Sequence, residues 1–174
     1  RSYSLLINSF SLTCDLFASP LSANPHISFV SLYDTDQIFG CPYDAFRHRW
    51  SGHCLAEPHF SKTSIDRTIS FALAATQASP VRTGIVLVLP WTDEQSRLTE
   101  ALSLPCFSTL ATFTCDSTRL GIFIAHDSAF AEFVTNCDFT TLFAHLRTTY
   151  TNVVYPLLKP STFSHPFLPH WALF

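Results

Sequence analysis

The stretch Thr83-Gly84-Ile85-Val86-Leu87-Val88-Leu89, closed by Pro90, constrains the fold of this chain more than any other segment. Its apolar residues are consecutive rather than alternating, so a strand made of them must be buried on both faces. That is the mark of a central parallel strand covered by helices. Proline lacks the N–H that a ladder needs and ends the strand. Shorter runs of the same kind flank it. Leu12 to Phe17 stops at Ala18-Ser19-Pro20, and His53 to Ala56 stops before Pro58. Leu110 to Cys115 and Leu120 to Ala125 surround Asp116-Ser117-Thr118-Arg119 and read as a hairpin.

Helical patterns fill the intervals. Ser61 to Ala78 carries Ile65, Ile69, Ala72 and Leu73 at helical spacing and ends at Ser79-Pro80. Thr92 and Gln95 fit a capping box that opens a helix reaching about Leu104, and Phe130 to Phe133 and Phe139 to Tyr150 read as further helical pieces. Asn24 to Leu32 suits either a helix, opened by Pro25, or a strand through Ile27, Phe29 and Val30. Strands alternating with helices predict an α/β sandwich with a mostly parallel sheet and an antiparallel edge hairpin. In such sheets the ligand lies outside the carboxyl ends of the strands. Three of those ends bear unusual chemistry: Ala18-Ser19-Pro20, Glu57-Pro58-His59-Phe60 and Pro90-Trp91.

Composition excludes several classes. A chain of 174 residues is one domain by length, and its net charge of −3 rules out a polybasic nucleic-acid binder, so any RNA contact must be local. No apolar run approaches the roughly 18 to 20 residues of a membrane span. The six cysteines form no CxxC pair, which predicts free thiols in a reducing compartment rather than a disulfide framework. Cys41, His48, His53 and Cys54 could ligate zinc, although their spacing matches no standard finger. No Gly-x-Ser-x-Gly elbow supports a hydrolase. Methionine is absent and the chain starts at Arg1, which predicts a fragment or a processed product. The reading divides the chain into a core over residues 1–133 and, over 134–174, a helical segment with a carboxyl-terminal arm rich in proline and aromatics. The arm is expected to dock protein partners.

A strand ending in polar-Pro-x-aromatic suits chemistry on the exocyclic amine of adenine. That amine is conjugated with the ring and poorly nucleophilic, so the site must accept its hydrogen bonds while an aromatic face holds the base. Glu57 and a nearby carbonyl are candidate acceptors and Phe60 a candidate stacking face. The base must also be taken out of its stack. Glu57 could equally be a solvated loop carboxylate, His59 a loop histidine, and Asp34 and Asp36 the braces of a turn.

Several segments together resemble the phosphorylated CTD interacting factor family of cap-specific adenosine N6-methyltransferases. They are Phe17-Ala18-Ser19-Pro20-Leu21, Asp34-Thr35-Asp36 with Phe39-Gly40, Ala56-x-Pro58-x-Phe60, Pro90-Trp91, Glu94-Gln95-Ser96-Arg97, Leu104-Pro105 with Phe107, and Asp127 with Phe130-Ala131. Their order and near-family spacing cover about Cys14 to Phe133. The resemblance implies a class I S-adenosylmethionine methyltransferase (Rossmann-like) fold. It implies S-adenosyl-L-methionine held near Phe17, Ala18, Ser19, Pro20, Asp34 and Asp36, and an adenine site at Glu57, Pro58, His59 and Phe60. It further implies RNA, with an adenosine near the cap, as the partner, and the nucleus as the compartment. The family has Asn-Pro-Pro-Phe where this chain has Glu-Pro-His-Phe, and asparagine where this chain has Ser22. Ionised glutamate only accepts hydrogen bonds, whereas asparagine also donates, and its carboxylate reaches about 1.5 Å further. The family's WW module and helical domain are not expected in this chain. Two functions therefore stand: a methyltransferase acting on adenine N6, or an inactive methyltransferase-like scaffold or RNA-binding subunit of a larger assembly. A different methyl acceptor is a third.

Overall fold

The run over residues 83–89 is indeed the centre of the molecule. In a computed structural model that describes residues 2–78, 80–91 and 96–155, it forms β4 (Gly84–Pro90), every residue of which is buried. The chain before it makes α1 (Ser2–Phe10), β1 (Cys14–Ala18), β2 (Ser28–Ser31), β3 (His53–Ala56) and α2 (Lys62–Ala78). After it come α3 (Ser96–Leu102), β5 (Phe107–Cys115), β6 (Thr118–His126), α4 (Ser128–Thr135), α5 (Thr140–Thr149) and β7 (Thr151–Val154). The seven strands form one sheet in the order β2-β1-β3-β4-β6-β5-β7.

Strands β1 to β4 pair in parallel, and β6 runs against both β4 and β5. β5 therefore points the same way as β4, and only β6 and β7 are reversed. This is the mostly parallel α/β sandwich expected from the sequence. One position differs. The hairpin does not form the sheet edge: β6 pairs with β4 from Gly84↔His126 to Pro90↔Leu120, and β7 lies outside β5. The reason lies in β6 itself, which is buried on both faces from Gly121 to His126 and so requires neighbours on each side. The turn is also shorter than the four residues expected. Only Asp116 and Ser117 are unpaired, both at positive φ (46° and 67°), a type I′ connection.

Residues 24–32 resolve into a turn followed by β2. The Asn24 side chain accepts from the His26 N–H, an Asx turn that blocks a helix there. The helix after β4 ends at Leu102, and the expected capping residues Thr92 and Gln95 lie outside the described residues, as does the arm from Pro156. Two elements, α1 and β7, have no clear signal in the sequence.

The sheet separates two cores. α1, α4 and α5 cover one face, where Phe10, Phe130 and Phe139 are fully buried against Leu55, Val86 and Ile124. α2 and α3 cover the other with Ile65, Ile69 and Leu98 against Ile85, Leu87 and Phe123. Among the described residues no helix is long and apolar enough to cross a membrane.

Candidate functional site

Strand order decides where a ligand can enter. β1 and β3 are neighbours, yet the chain leaves β1 towards β2 on one side and β3 towards β4 on the other. Loops diverging from adjacent strands leave a crevice outside their carboxyl ends. Asp15 lies opposite Leu55, so the segments after Ala18 and after Ala56 open side by side at this switch point.

Alternation along β3 then sorts the side chains. Cys54 and Ala56 face the α2 core, and Leu55 faces the α1 core. Glu57, two residues on, continues the α1 side and meets a cavity of ≈ 370 Å³. That volume lies in the range of small-molecule sites. Its walls are Phe60, Tyr3 and Leu6 of α1, Val88 of β4, Phe113 and Cys115 of β5, Leu120 and Ile122 of β6, and Leu142, Leu146 and Tyr150 from α5 and its end. The lining is aromatic and aliphatic except for the Glu57 carboxylate, the hydroxyls of Tyr3 and Tyr150 and the Cys115 thiol.

Glu57 accepts a hydrogen bond from the Tyr3 hydroxyl. Burial, together with the nearby charge of Asp15, raises the Glu57 carboxyl above the ordinary carboxylate range, and the Tyr3 bond pulls it partly back. Asp15 is raised by burial as well, against the Phe17 N–H, which donates to its Oδ1 at 3.1 Å. Two partly buried carboxylates thus share one face of adjacent strands. Tyr3 stands at the cavity mouth with 39% of its surface exposed, but its hydroxyl is turned inward to Glu57, and burial followed by that bond raises it.

The expected adenine-site residues separate. Glu57 and Phe60 line the cavity, Pro58 is buried beneath the loop, and His59 is exposed away from the lining. The expected cofactor residues lie at the carboxyl ends of β1 and β2. Phe17, however, turns its ring to the α2 side, edge-on to Phe46 at 5.5 Å and Trp50 at 6.0 Å. Ala18 is buried. Ser19 and Pro20 begin a turn that closes on itself. The Ser19 N–H donates to Ser22 Oγ at 3.0 Å, and the Ser22 and Ala23 N–H groups donate to the Ser19 carbonyl at 3.0 and 2.8 Å. Ser22 therefore serves the turn. Asp34 and Asp36 open the 3₁₀ helix Asp34–Phe39 just after β2. The Ser31 hydroxyl donates to Asp36 Oδ2, while Asp34 is exposed.

The four residues weighed as zinc ligands diverge. Cys41 Sγ donates to the Asp36 carbonyl at 3.2 Å, and His48 Nε2 lies 3.0 Å from the Tyr43 carbonyl. His53 and Cys54, being adjacent in a strand, face opposite cores: His53 Nδ1 meets the Phe10 carbonyl at 3.1 Å and its Nε2 accepts from Arg82 at 3.0 Å. All six cysteines are free.

The sequence reading missed Tyr3, Asp15, Phe113 and Tyr150. Only Asp15 carries a signal, as a charge inside the apolar run from Leu12 to Phe17.

The family profile described as "Phosphorylated CTD interacting factor 1 WW domain" matches residues 1–115 of the 174. The chain belongs to that phosphorylated CTD interacting factor family. In this member the matched residues form α1 through β5, including the switch point, Tyr3, Glu57 and Phe60. No curated protein matches the chain. Among solved structures, TrmN from Thermus thermophilus is similar at a TM-score of 0.46 and 14% identity, over 72% of this chain. The chain spans about half (48%) of that protein's length.

Proposed function

We propose that this domain methylates the N6 amine of an adenosine in RNA, with S-adenosyl-L-methionine as donor, in a nuclear compartment. The observation that supports this most is the placement of Glu57 and Phe60 at the switch point, opening on an aromatic-walled cavity of ≈ 370 Å³. The cofactor would lie across the ends of β1 and β2. Asp36, with one oxygen held by Ser31, keeps the other for a ribose hydroxyl, as acids at the end of the second strand do in Rossmann-like sites. Ala18 and Ser19 supply the floor of the crevice.

When bound, the cofactor supplies an electrophilic methyl on a sulfonium centre. Glu57 accepts from the exocyclic amine, which localises the nitrogen lone pair and aims it at the methyl carbon. Transfer to the amine would release the cofactor as its neutral thioether, so Glu57 would hold the nitrogen in line without having to activate a leaving group. The extra proton on nitrogen then becomes acidic and leaves to Glu57 or to water, so no strong base is needed before attack. Phe60 packs against the base.

A second reading is favoured by particular observations. The turn after β1 already pairs the N–H groups of Ser19, Ser22 and Ala23 within itself, and it has no glycine to let a ligand approach closely. These features suit a methyltransferase-like scaffold that holds RNA or a protein partner without transferring a methyl group. Calorimetric titration with S-adenosyl-L-methionine, followed by mass spectrometry of a capped RNA beginning with adenosine, separates the two. The enzyme reading expects saturable binding, one methyl at N6, and loss of transfer with retained cofactor binding in Glu57→Ala. A folded chain that gives no binding heat at millimolar cofactor refutes it in favour of the scaffold.

A further inference from the structure

The first turn of α1 brings to the cavity a residue that the tetrapeptide does not contain. Tyr3, Leu6 and Phe10 recur at helical spacing and lie on one stripe of α1. Leu6 and Phe10 are buried against the sheet, which fixes where Tyr3 stands. Tyr3 and Leu6 both line the cavity, and the Tyr3 hydroxyl donates to Glu57. A carboxylate oxygen that accepts from Tyr3 is held in place. The second Glu57 oxygen and the lone pairs of the Tyr3 oxygen then remain as acceptors among the groups that line the cavity. The remaining walls are apolar or aromatic apart from Tyr150 and Cys115. Such a surface suits a flat ring bearing an amino group and opposes one bearing a carbonyl at the same position.

We propose that Tyr3 is the positioning residue of this cavity: it fixes the Glu57 carboxylate so that the pocket selects an amino-bearing purine over its 6-oxo counterpart. The proposal rests on the reading of the cavity as a base pocket but not on methyl transfer. Glutamate replacing asparagine extends the side chain, and the tyrosine gives the longer carboxylate a fixed partner. A long, partly buried carboxylate without such a partner would sample several rotamers and present no constant acceptor.

The test uses the full chain and two nucleosides, adenosine and inosine, with binding followed by ligand-observed NMR or calorimetry from pH 5 to pH 8. The wild type is expected to bind adenosine at least about tenfold more tightly than inosine, in keeping with a site whose acceptors would face a carbonyl. Glu57→Gln, whose amide can turn to donate, should bring that ratio close to one. Tyr3→Phe keeps the ring and should lower the ratio about fivefold, an effect the size of one lost hydrogen bond. It should also move the pH midpoint of adenosine binding upward, because the bond that favours ionised Glu57 is gone. A purely structural role for Tyr3 would move neither the ratio nor the midpoint. Folding of each variant is checked by circular dichroism, and Glu57→Gln tests the pocket independently should Tyr3→Phe unfold. Equal binding of the two nucleosides by the wild type, no binding of either, or an unchanged ratio and midpoint in folded Tyr3→Phe overturns the proposal. Discrimination without cofactor binding would sink methyl transfer alone; RNA methylation unaffected by Tyr3→Phe would sink the role of Tyr3 alone.

Discussion

Asp127 offers a quantitative test of how the fold is tied together. Its Oδ1 accepts from the Phe130 N–H at 2.7 Å and caps α4, while its Oδ2 accepts from the Thr83 N–H at 2.8 Å. One carboxylate thus joins the start of β4 to the helix that buries Phe130, Ala131 and Val134. Asp127→Ala removes an N-cap, worth about 0.5 to 2 kcal/mol. It also strands the N–H of Thr83, a fully buried residue, at about 1 to 3 kcal/mol. Allowing for a water that partly repairs the second loss, the sum is about 2 to 4 kcal/mol. Asp127→Asn keeps one acceptor and loses the other, so it should cost about half as much. With a urea slope of about 2 kcal/mol/M, the alanine variant should unfold about 1 to 2 M earlier than the wild type. Equilibrium urea denaturation followed by circular dichroism reads both values. An alanine variant within about 0.5 kcal/mol of the wild type refutes the double role.

Three further outcomes are expected. Gly84→Ala would place its Cβ 2.3 Å from the ring atoms of fully buried Phe130, and the resulting strain should cost about 1 to 3 kcal/mol in the same urea assay. Ser117→Gly relieves a left-handed residue in the β5–β6 turn (φ 67°) and should raise stability by about 0.5 to 1 kcal/mol, read as a higher thermal midpoint; a lower midpoint contradicts the turn geometry. Burial lowers the pKa of His53 and of His126, so both stay neutral in the folded chain where the unfolded chain takes up protons. Stability should therefore fall as pH drops below about 6.5, and a thermal midpoint that is flat between pH 7.5 and 5 would count against it. The raised carboxyls of Asp15 and Glu57 act with the opposite sign, stabilising the folded chain as pH falls from their raised values towards the ordinary carboxylate range.

Whatever depends on local pattern was legible in the sequence. Consecutive burial made β4 readable, the spacing of Ile65, Ile69, Ala72 and Leu73 made α2 readable, and the proline after Glu57 marked the end of β3. The position of the β5–β6 hairpin inside the sheet was not, because strand order follows from long-range packing that no turn signal encodes. α1 escaped notice for another reason: nine residues with no acidic first turn carry little intrinsic helicity. It forms because Leu6, Ile7 and Phe10 bury against the sheet. Tyr3 was therefore invisible as a site residue even though it is third in the chain. β7 is a largely exposed edge strand with Asn152 at positive φ, and a pattern of that kind reads as loop.

Glu57 gains its meaning from that long-range packing. In the loop alone it is a carboxylate that, when ionised, only accepts hydrogen bonds. In the folded chain, Tyr3 from α1 provides the donor, and Asp15 from β1 adds the like charge that works against ionisation. The family profile covers Tyr3, Glu57 and Phe60 of the cavity and Asp15 of β1, all of which lie within residues 1–115. The opposite wall is built by Leu120, Ile122, Leu142, Leu146 and Tyr150, all beyond the matched stretch. The matched stretch thus supplies Tyr3 and Glu57 together with part of the apolar lining, and the rest of the chain supplies the remaining walls. A relative that kept Tyr3 and Glu57 would still reshape the cavity through changes in α5. The helix that supplies this wall is joined to the core by Phe139, Leu142, Phe143 and Leu146, so its inward face cannot vary freely without loss of stability.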